Sequence, residues 1–261
     1  MKRITALLLL AAVCASMCSC GGSLVSTLKS YLGAADDKKP AGYIETVTTD
    51  EYEYDVYNDH VTLVEYLGDD TEVLIPDTLG GKSVTVIGEY CFYENTVIET
   101  VAVPASVRSI ETGAFYYCTS LRRVKLPSGC TSYGEKLFSW CTSLESVTIP
   151  AGMTVIPDYA FNNCTSLTEI IWSGNVTDIG VRSFSWCTSL ITLEIPEGVK
   201  TIGDYAFYNC GTLETVTLPG TPVTISDTAF EGCDKAAGIP SGTDESGQGV
   251  SFDISDTETS E

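Results

Sequence analysis

The chain has 261 residues, 44% of them apolar and 19% charged, which is enough to bury a sizeable core. Asp and Glu number 35 against 14 Lys and Arg, a net charge of −21. That balance argues against nucleic acid as a ligand and against unaided adsorption to an anionic membrane, because both need clustered cations. The single histidine, His60, excludes a multi-histidine metal site and would have to serve any histidine-based catalytic triad.

Residues 1–20 read as an export signal. Lys2 and Arg3 precede an apolar run from Ile4 to Val13, broken only by Thr5, and small residues and cysteines follow. The run is shorter than the roughly 20 apolar residues a membrane span requires. The segment Ala15-Ser16-Met17-Cys18-Ser19-Cys20-Gly21-Gly22 resembles a bacterial lipoprotein processing site. The resemblance implies a lipid on Cys20 and attachment to a membrane through that anchor alone. Cys18 is the rival position, and ordinary cleavage without lipid is the alternative. Residues 21–50, small and polar around Ala34-Ala35-Asp36-Asp37-Lys38-Lys39-Pro40, read as a flexible stalk.

Residues 51–91 read as an N-terminal cap with the first coil. Tyr52 to Tyr57 and His60 to Tyr66 form a predicted hairpin about a turn at Asn58-Asp59. A second turn at Gly68-Asp69-Asp70 leads into Val73-Leu74-Ile75-Pro76. Sixteen residues separate Pro76 from Phe92 where eleven separate Pro104 from Phe115, so the first coil carries extra length around Asp77 to Lys82.

From 92 to 240 the chain repeats. Phenylalanine stands at 92, 115, 138, 161, 184, 207 and 230, each step 23 residues. Cysteine follows three residues later from Cys118 to Cys233, with Asn95 in the first copy. Leucine follows at 121, 144, 167, 190 and 213, with Ile98 first. Two further apolar positions hold Val101 and Val103 and their counterparts, and proline comes next at 104, 127, 150, 196 and 219, with Ser173 the exception. One more phased position holds Ile87, Ile110, Tyr133, Ile156, Ile179, Ile202 and Ile225. Such a period predicts a solenoid, because one coil buries little alone and stacked coils share a continuous core. The L-x-x-V-x-I-P segment reads as a short parallel strand ended by proline, and A-F-x-x-C-x-x-L as the return. Phenylalanine is expected to form a stacked spine.

The pattern Cys118-x-x-Leu121-x-x-Val124-x-Leu126-Pro127, then Phe138-x-x-Cys141, resembles the bacterial leucine-rich repeat of the BspA-like and Treponema type. The fold this implies is a leucine-rich-repeat solenoid of the α/β-type repeat class. It has mostly short parallel strands with turns, seven stacked 23-residue coils and an N-terminal β-hairpin cap. The pattern fades after Cys233, where Ala236 replaces leucine. Residues 241–261 form an acidic tail without a cation, expected to be disordered.

Eleven cysteines in an exported chain invite a disulfide framework. Three lie in the signal region and six are repeat-phased, which an architectural role explains; Cys91 and Cys130 read as core fillers. Buried reduced thiols are therefore expected, and neither a metal nor another cofactor. His60 beside Asp59 reads as an exposed hairpin histidine. The sequons at Asn163 and Asn175 read as accidental.

Two surfaces are candidates for binding. The outward strand columns place Arg123 and Lys125, with Arg122, as a cationic spot, and Glu169 and Glu194 farther along; a plain solvated face is the alternative. The second is an aromatic patch, Tyr117, Trp140 and Trp186, between Phe and Cys on the return side, where packing between coils is the alternative. Export, repeats and the lack of a catalytic motif together indicate a non-enzymatic, monomeric surface protein. It would bind an extracellular protein or glycan, as an adhesin does. An envelope scaffold without a soluble ligand is the first alternative, and a carbohydrate-active hydrolase using a carboxylate pair is the second.

Overall fold

The computed structural model describes residues 39–237, which excludes the signal, Cys20, most of the stalk and the acidic tail. The cap is a meander of β1 (Tyr43–Thr48), β2 (Tyr52–Tyr57) and β3 (His60–Tyr66), all antiparallel. The hairpin β2–β3 lies where the sequence places it. Strand β1 corrects the stalk boundary: its alternation is weak and mostly exposed, yet it pairs along β2 from Tyr43 to Thr48. What holds it is the ladder of main-chain hydrogen bonds and the bond from Thr46 Oγ1 to Asp55 Oδ1 at 2.6 Å, neither of which shows as apolar periodicity.

Each coil then contributes two strands, where the sequence reading had one. The cap-side coil holds β4 (Glu72–Leu74), β5 (Thr78–Leu79) and β6 (Lys82–Ile87). The extra length foreseen there is the β5–β6 hairpin, turned by Gly80 and Gly81 at φ 56° and 78°. Both residues of such a turn need positive φ, which glycine supplies without a Cβ clash. The later coils hold β7 (Thr100–Ala102) and β8 (Ser109–Ile110), then β9 (Arg123–Lys125) and β10 (Ser132–Tyr133). Next come β11 (Ser146–Ile149), β12 (Val155–Ile156), β13 (Glu169–Trp172) and β14 (Asp178–Ile179). The series ends with β15 (Thr192–Glu194), β16 (Thr201–Ile202), β17 (Thr215–Thr217) and β18 (Thr224–Ile225).

The first ladder of parallel strands runs β4-β7-β9, β11-β13 and β15-β17. The second runs β6-β8-β10 and β12-β14-β16-β18, and the cap joins it through parallel pairing of β3 with β6. Register is one coil per rung, as in Thr100↔Arg123 and Ile179↔Ile202. A bridge from Thr215 to Ala237 ends the described part.

No helix occurs among the described residues, although the return arc begins like one. In the second arc the N–H groups of Ala114, Tyr116 and Cys118 bond to carbonyls three residues back, a 3₁₀ pattern. The alternate N–H groups, of Gly113, Phe115 and Tyr117, bond instead to Glu135, Leu137 and Ser139 of the next coil. Left-handed residues two before and two after each phenylalanine from Phe92 to Phe207, and two after Phe230, turn those N–H groups toward the next coil and stop a helix from propagating. The arc thereby satisfies its backbone groups along the stack.

The core is one continuous cluster. The phenylalanines form the expected spine, with centroids 4.8 Å apart for Phe92–Phe115 and 5.0 Å for Phe161–Phe184, rings near parallel. Tyr66 of the cap stacks on Phe92 at 5.2 Å, so the cap closes the exposed end of the spine. The six repeat-phased cysteines are buried thiols. Each donates to the carbonyl of the phenylalanine in the coil before, as Cys141 Sγ does to Phe115 at 3.2 Å and Cys164 Sγ to Phe138 at 3.2 Å. Burial pushes the Cys164 and Cys187 thiols up, so they stay protonated donors. Asn95, standing where the first cysteine would be, accepts from the N–H groups of Val97 and Ile98 at 3.0 Å and stabilises the same bend differently.

Candidate functional site

Alternation along the first ladder sorts its side chains. On β9, Arg123 and Lys125 are exposed while Val124 turns inward; on β13 and β15, Glu169 and Glu194 are exposed. At about 4.8 Å per rung, Glu169 lies two rungs and Glu194 three rungs beyond Arg123, roughly 10 and 14 Å along the stack. The structure therefore puts these four residues on one ladder face without direct contact. Arg122 does not join the cationic spot, which corrects the sequence reading. It stands one residue outside β9, between Glu145 at 2.8 Å and Glu99 at 3.8 Å in the adjacent coils. Both carboxylates share its repeat phase, a signal readable as charges spaced 23 apart.

The aromatic residues of the arc divide into two kinds. Tyr116 and Tyr208 stand one residue after phenylalanine and are half-buried; Tyr93 and Tyr116 stack at 5.6 Å, and burial raises the Tyr116 phenol above its ordinary value. Tyr117, Trp140 and Trp186 stand one residue later and are 38%, 39% and 42% exposed. All three have positive φ, 65°, 66° and 64°. The same position holds Glu94, Asn163, Asn209 and Gly232, of which asparagine and glycine adopt this conformation readily. A bulky side chain there costs on the order of 1–3 kcal/mol. Tyr117 and Trp140 touch, with centroids 5.9 Å apart, while the Asn163 coil separates Trp140 from Trp186. Trp186 meets Tyr208 edge-on at 6.1 Å. Exposed patch and inter-coil packing thus both occur, at neighbouring positions.

His60 is half-buried, not exposed as the sequence reading had it. Its ring stacks on Tyr57 at 4.6 Å and its Nδ1 bonds to Asp59 Oδ1 at 2.8 Å, which fixes the hairpin turn. The His60 bond holds the Asp59 carboxyl below its usual range. Hydrogen bonds from Thr201 and Thr177 do the same for Asp178. A hydrolase acid needs a carboxyl raised instead, and both of these shifts run downward. Among the described residues no cluster of His, Cys, Asp and Glu could hold a metal ion.

Coils of 23 residues, two parallel strands each and a phenylalanine–cysteine arc define a leucine-rich-repeat solenoid. The family model described as a BspA type leucine rich repeat region, of six copies, matches residues 85–190 and 154–244. The chain belongs to that family. Among solved structures, the T. pallidum leucine rich repeat protein is 29% identical with a TM-score of 0.68, covering 74% of this chain and 92% of its own. A leucine-rich repeat protein from Eubacterium ventriosum is 25% identical with a TM-score of 0.63, over 79% of this chain and 57% of that one. The pneumococcal vaccine antigen PcpA, 19% identical with a TM-score of 0.52 over 75% of this chain and 52% of its own, shares the fold. No curated protein matches the chain.

Proposed function

We propose that the protein is exported, anchored by a lipid on Cys20, and binds an extracellular protein or glycan through a face of its solenoid, in the manner of an adhesin. One observation carries this reading. Inside the chain the core positions repeat, with phenylalanine in seven coils of seven, while the outward column reads Thr100, Arg123, Ser146, Glu169, Thr192, Thr215. Stacking dictates the inner positions. It leaves the outer ones to vary, and a surface that varies on a fixed frame suits recognition. The family supports a repeat protein, and the N-terminal residues support export and the anchor. The test is a binding screen of the chain from Gly21 against matrix proteins, mucins and cell-wall glycans, at low and physiological salt. Saturable binding at physiological salt is expected. Weakening by Arg123→Ser with Lys125→Ser would assign the site to the strand face; no binding across the panel would sink the adhesin reading in favour of a scaffold.

A further inference from the structure

The exposed aromatic residues of the arc sit where the backbone disfavours them, and each leaves more than a third of its surface to solvent. Asn163, Asn209 and Gly232 show which side chains this left-handed position accepts without strain. Tyr117, Trp140 and Trp186 instead hold large rings there, each more than a third exposed. Their packing is confined to ring contacts at the surface, Tyr117 with Trp140 at 5.9 Å and Trp186 with the Tyr208 edge at 6.1 Å, and strain retained for so little marks candidate functional positions.

We propose that this column is a binding strip for a neutral, extended polysaccharide. The reading rests on the binding function proposed above and names its ligand class and face. The rings offer apolar faces to the C–H faces of sugars. Coils advance by about 4.8 Å, close to the advance per hexose in an extended β-linked glycan, so successive rungs meet successive sugars. Trp140 and Trp186, two rungs apart, meet alternate units. Between them stands Asn163, whose amide is oriented by a bond from Nδ2 to Asn162 Oδ1 at 2.7 Å.

A row of threonines, Thr119, Thr142, Thr165 and Thr188, two residues past Tyr117, Trp140, Asn163 and Trp186, flanks the strip. Thr142, Thr165 and Thr188 donate their hydroxyl hydrogens to the carbonyls of Thr119, Thr142 and Thr165 in the preceding coils, at 3.3, 3.2 and 3.4 Å. Each hydroxyl oxygen can still accept, and these side chains are only partly buried. The row therefore presents acceptors to sugar hydroxyls beside the rings.

Charge selects among ligands. From Tyr117 to Gly232 the column has no ionised side chain, and its first member, the exposed Glu94, is anionic, on a molecule of net charge −21. An acidic glycan would be repelled. A protein partner needs anchors that enter a desolvated pocket, which single rings on a line do not provide.

The experiment uses the chain from Gly21 with soluble β-glucan, xylan and galactomannan, with heparin as the acidic control and fibrinogen as the protein control. Binding is read by titration calorimetry and by tryptophan fluorescence. Trp140→Asn and Trp186→Asn install the residue that the column itself uses elsewhere. Both variants are expected to melt no lower than the parent and to bind a neutral glycan at least tenfold more weakly, while Arg123→Ser with Lys125→Ser binds as the parent does. The strip is overturned if no neutral glycan binds, if heparin binds better, if the asparagine variants bind unchanged, or if they melt markedly lower. Fibrinogen binding that depends on Arg123 and Lys125 alone would overturn the strip and leave the general binding function standing.

Discussion

Truncating one ring of the phenylalanine spine tests whether the coils cohere through it. Phe161 is fully buried between Phe138 at 5.5 Å and Phe184 at 5.0 Å. Phe161→Ala removes the ring from a site that cannot collapse, because stacked backbones hold both neighbours. Such truncations cost about 3–5 kcal/mol, and each ring pair is worth roughly 0.5–1.5 kcal/mol beyond its buried area. Phe230, at the far end, is 8% exposed and has one spine neighbour, Phe207 at 5.1 Å. Phe230→Ala should therefore cost about half as much. A loss of about 4 kcal/mol lowers the melting temperature of a chain this size by roughly 8–16 °C. Urea unfolding followed by circular dichroism and by fluorescence is the assay, since Trp172 meets Phe184 edge-on at 6.2 Å and reports on the centre. A solenoid coupled only between neighbours should also split at the weakened rung, broadening the transition. Equal losses at Phe161 and Phe230, or less than about 1.5 kcal/mol at Phe161, would refute the spine as the main coupling.

Close approach between coils gives a second expectation. A Cβ on Gly134 would lie 2.2 Å from the Thr112 nitrogen, so Gly134→Ala should cost about 1–3 kcal/mol. Gly81→Ala meets nothing within 4 Å and should lose only the left-handed penalty, about 1 kcal/mol, both read by thermal unfolding. Cys233, in the last described coil, is 6% exposed, whereas Cys164 is fully buried and burial pushes its thiol up. Brief iodoacetamide treatment of the folded protein should therefore label Cys233 first, and mass spectrometry finding Cys164 labelled as fast would contradict this. Asp178 has a carboxyl lowered by Thr201 and Thr177, so its contribution is present above the unfolded value, about 3.9, and fades as pH falls through the folded one. Asp178→Ala should show a deficit in urea midpoint at pH 7 that closes by about pH 2; a constant deficit would point to packing.

The parts of this molecule that were legible in sequence are those where neighbours sit 23 residues apart and must resemble one another. Phe92 to Phe230 announce themselves because each ring's neighbour is another copy of itself. Alternation within Arg123-Val124-Lys125 likewise gives correct exposure, since strand parity is a local rule. The second ladder was harder to read: Ile87 and its counterparts repeat visibly, but β8, β14 and β18 are two residues each, too short for any alternation. The arc obeys neither helical nor strand parity. Tyr116 and Tyr117 are adjacent in sequence, yet one is half-buried and the other projects, because the backbone reverses hand between them. Glycine usually marks such a reversal, but here Gly113 and Gly232 are outnumbered by tyrosine, tryptophan, lysine, arginine and asparagine. What imposes left-handed backbone on residues such as Lys136, Trp140, Arg182 and Trp186 is the hydrogen bond their N–H groups make to the following coil, as from Trp140 to Asn162 at 2.7 Å. The conformation is thus set by the stack and only tolerated by the residue. This is why the same position can hold asparagine, glycine or tryptophan without breaking the repeat, and why its identity is available for recognition.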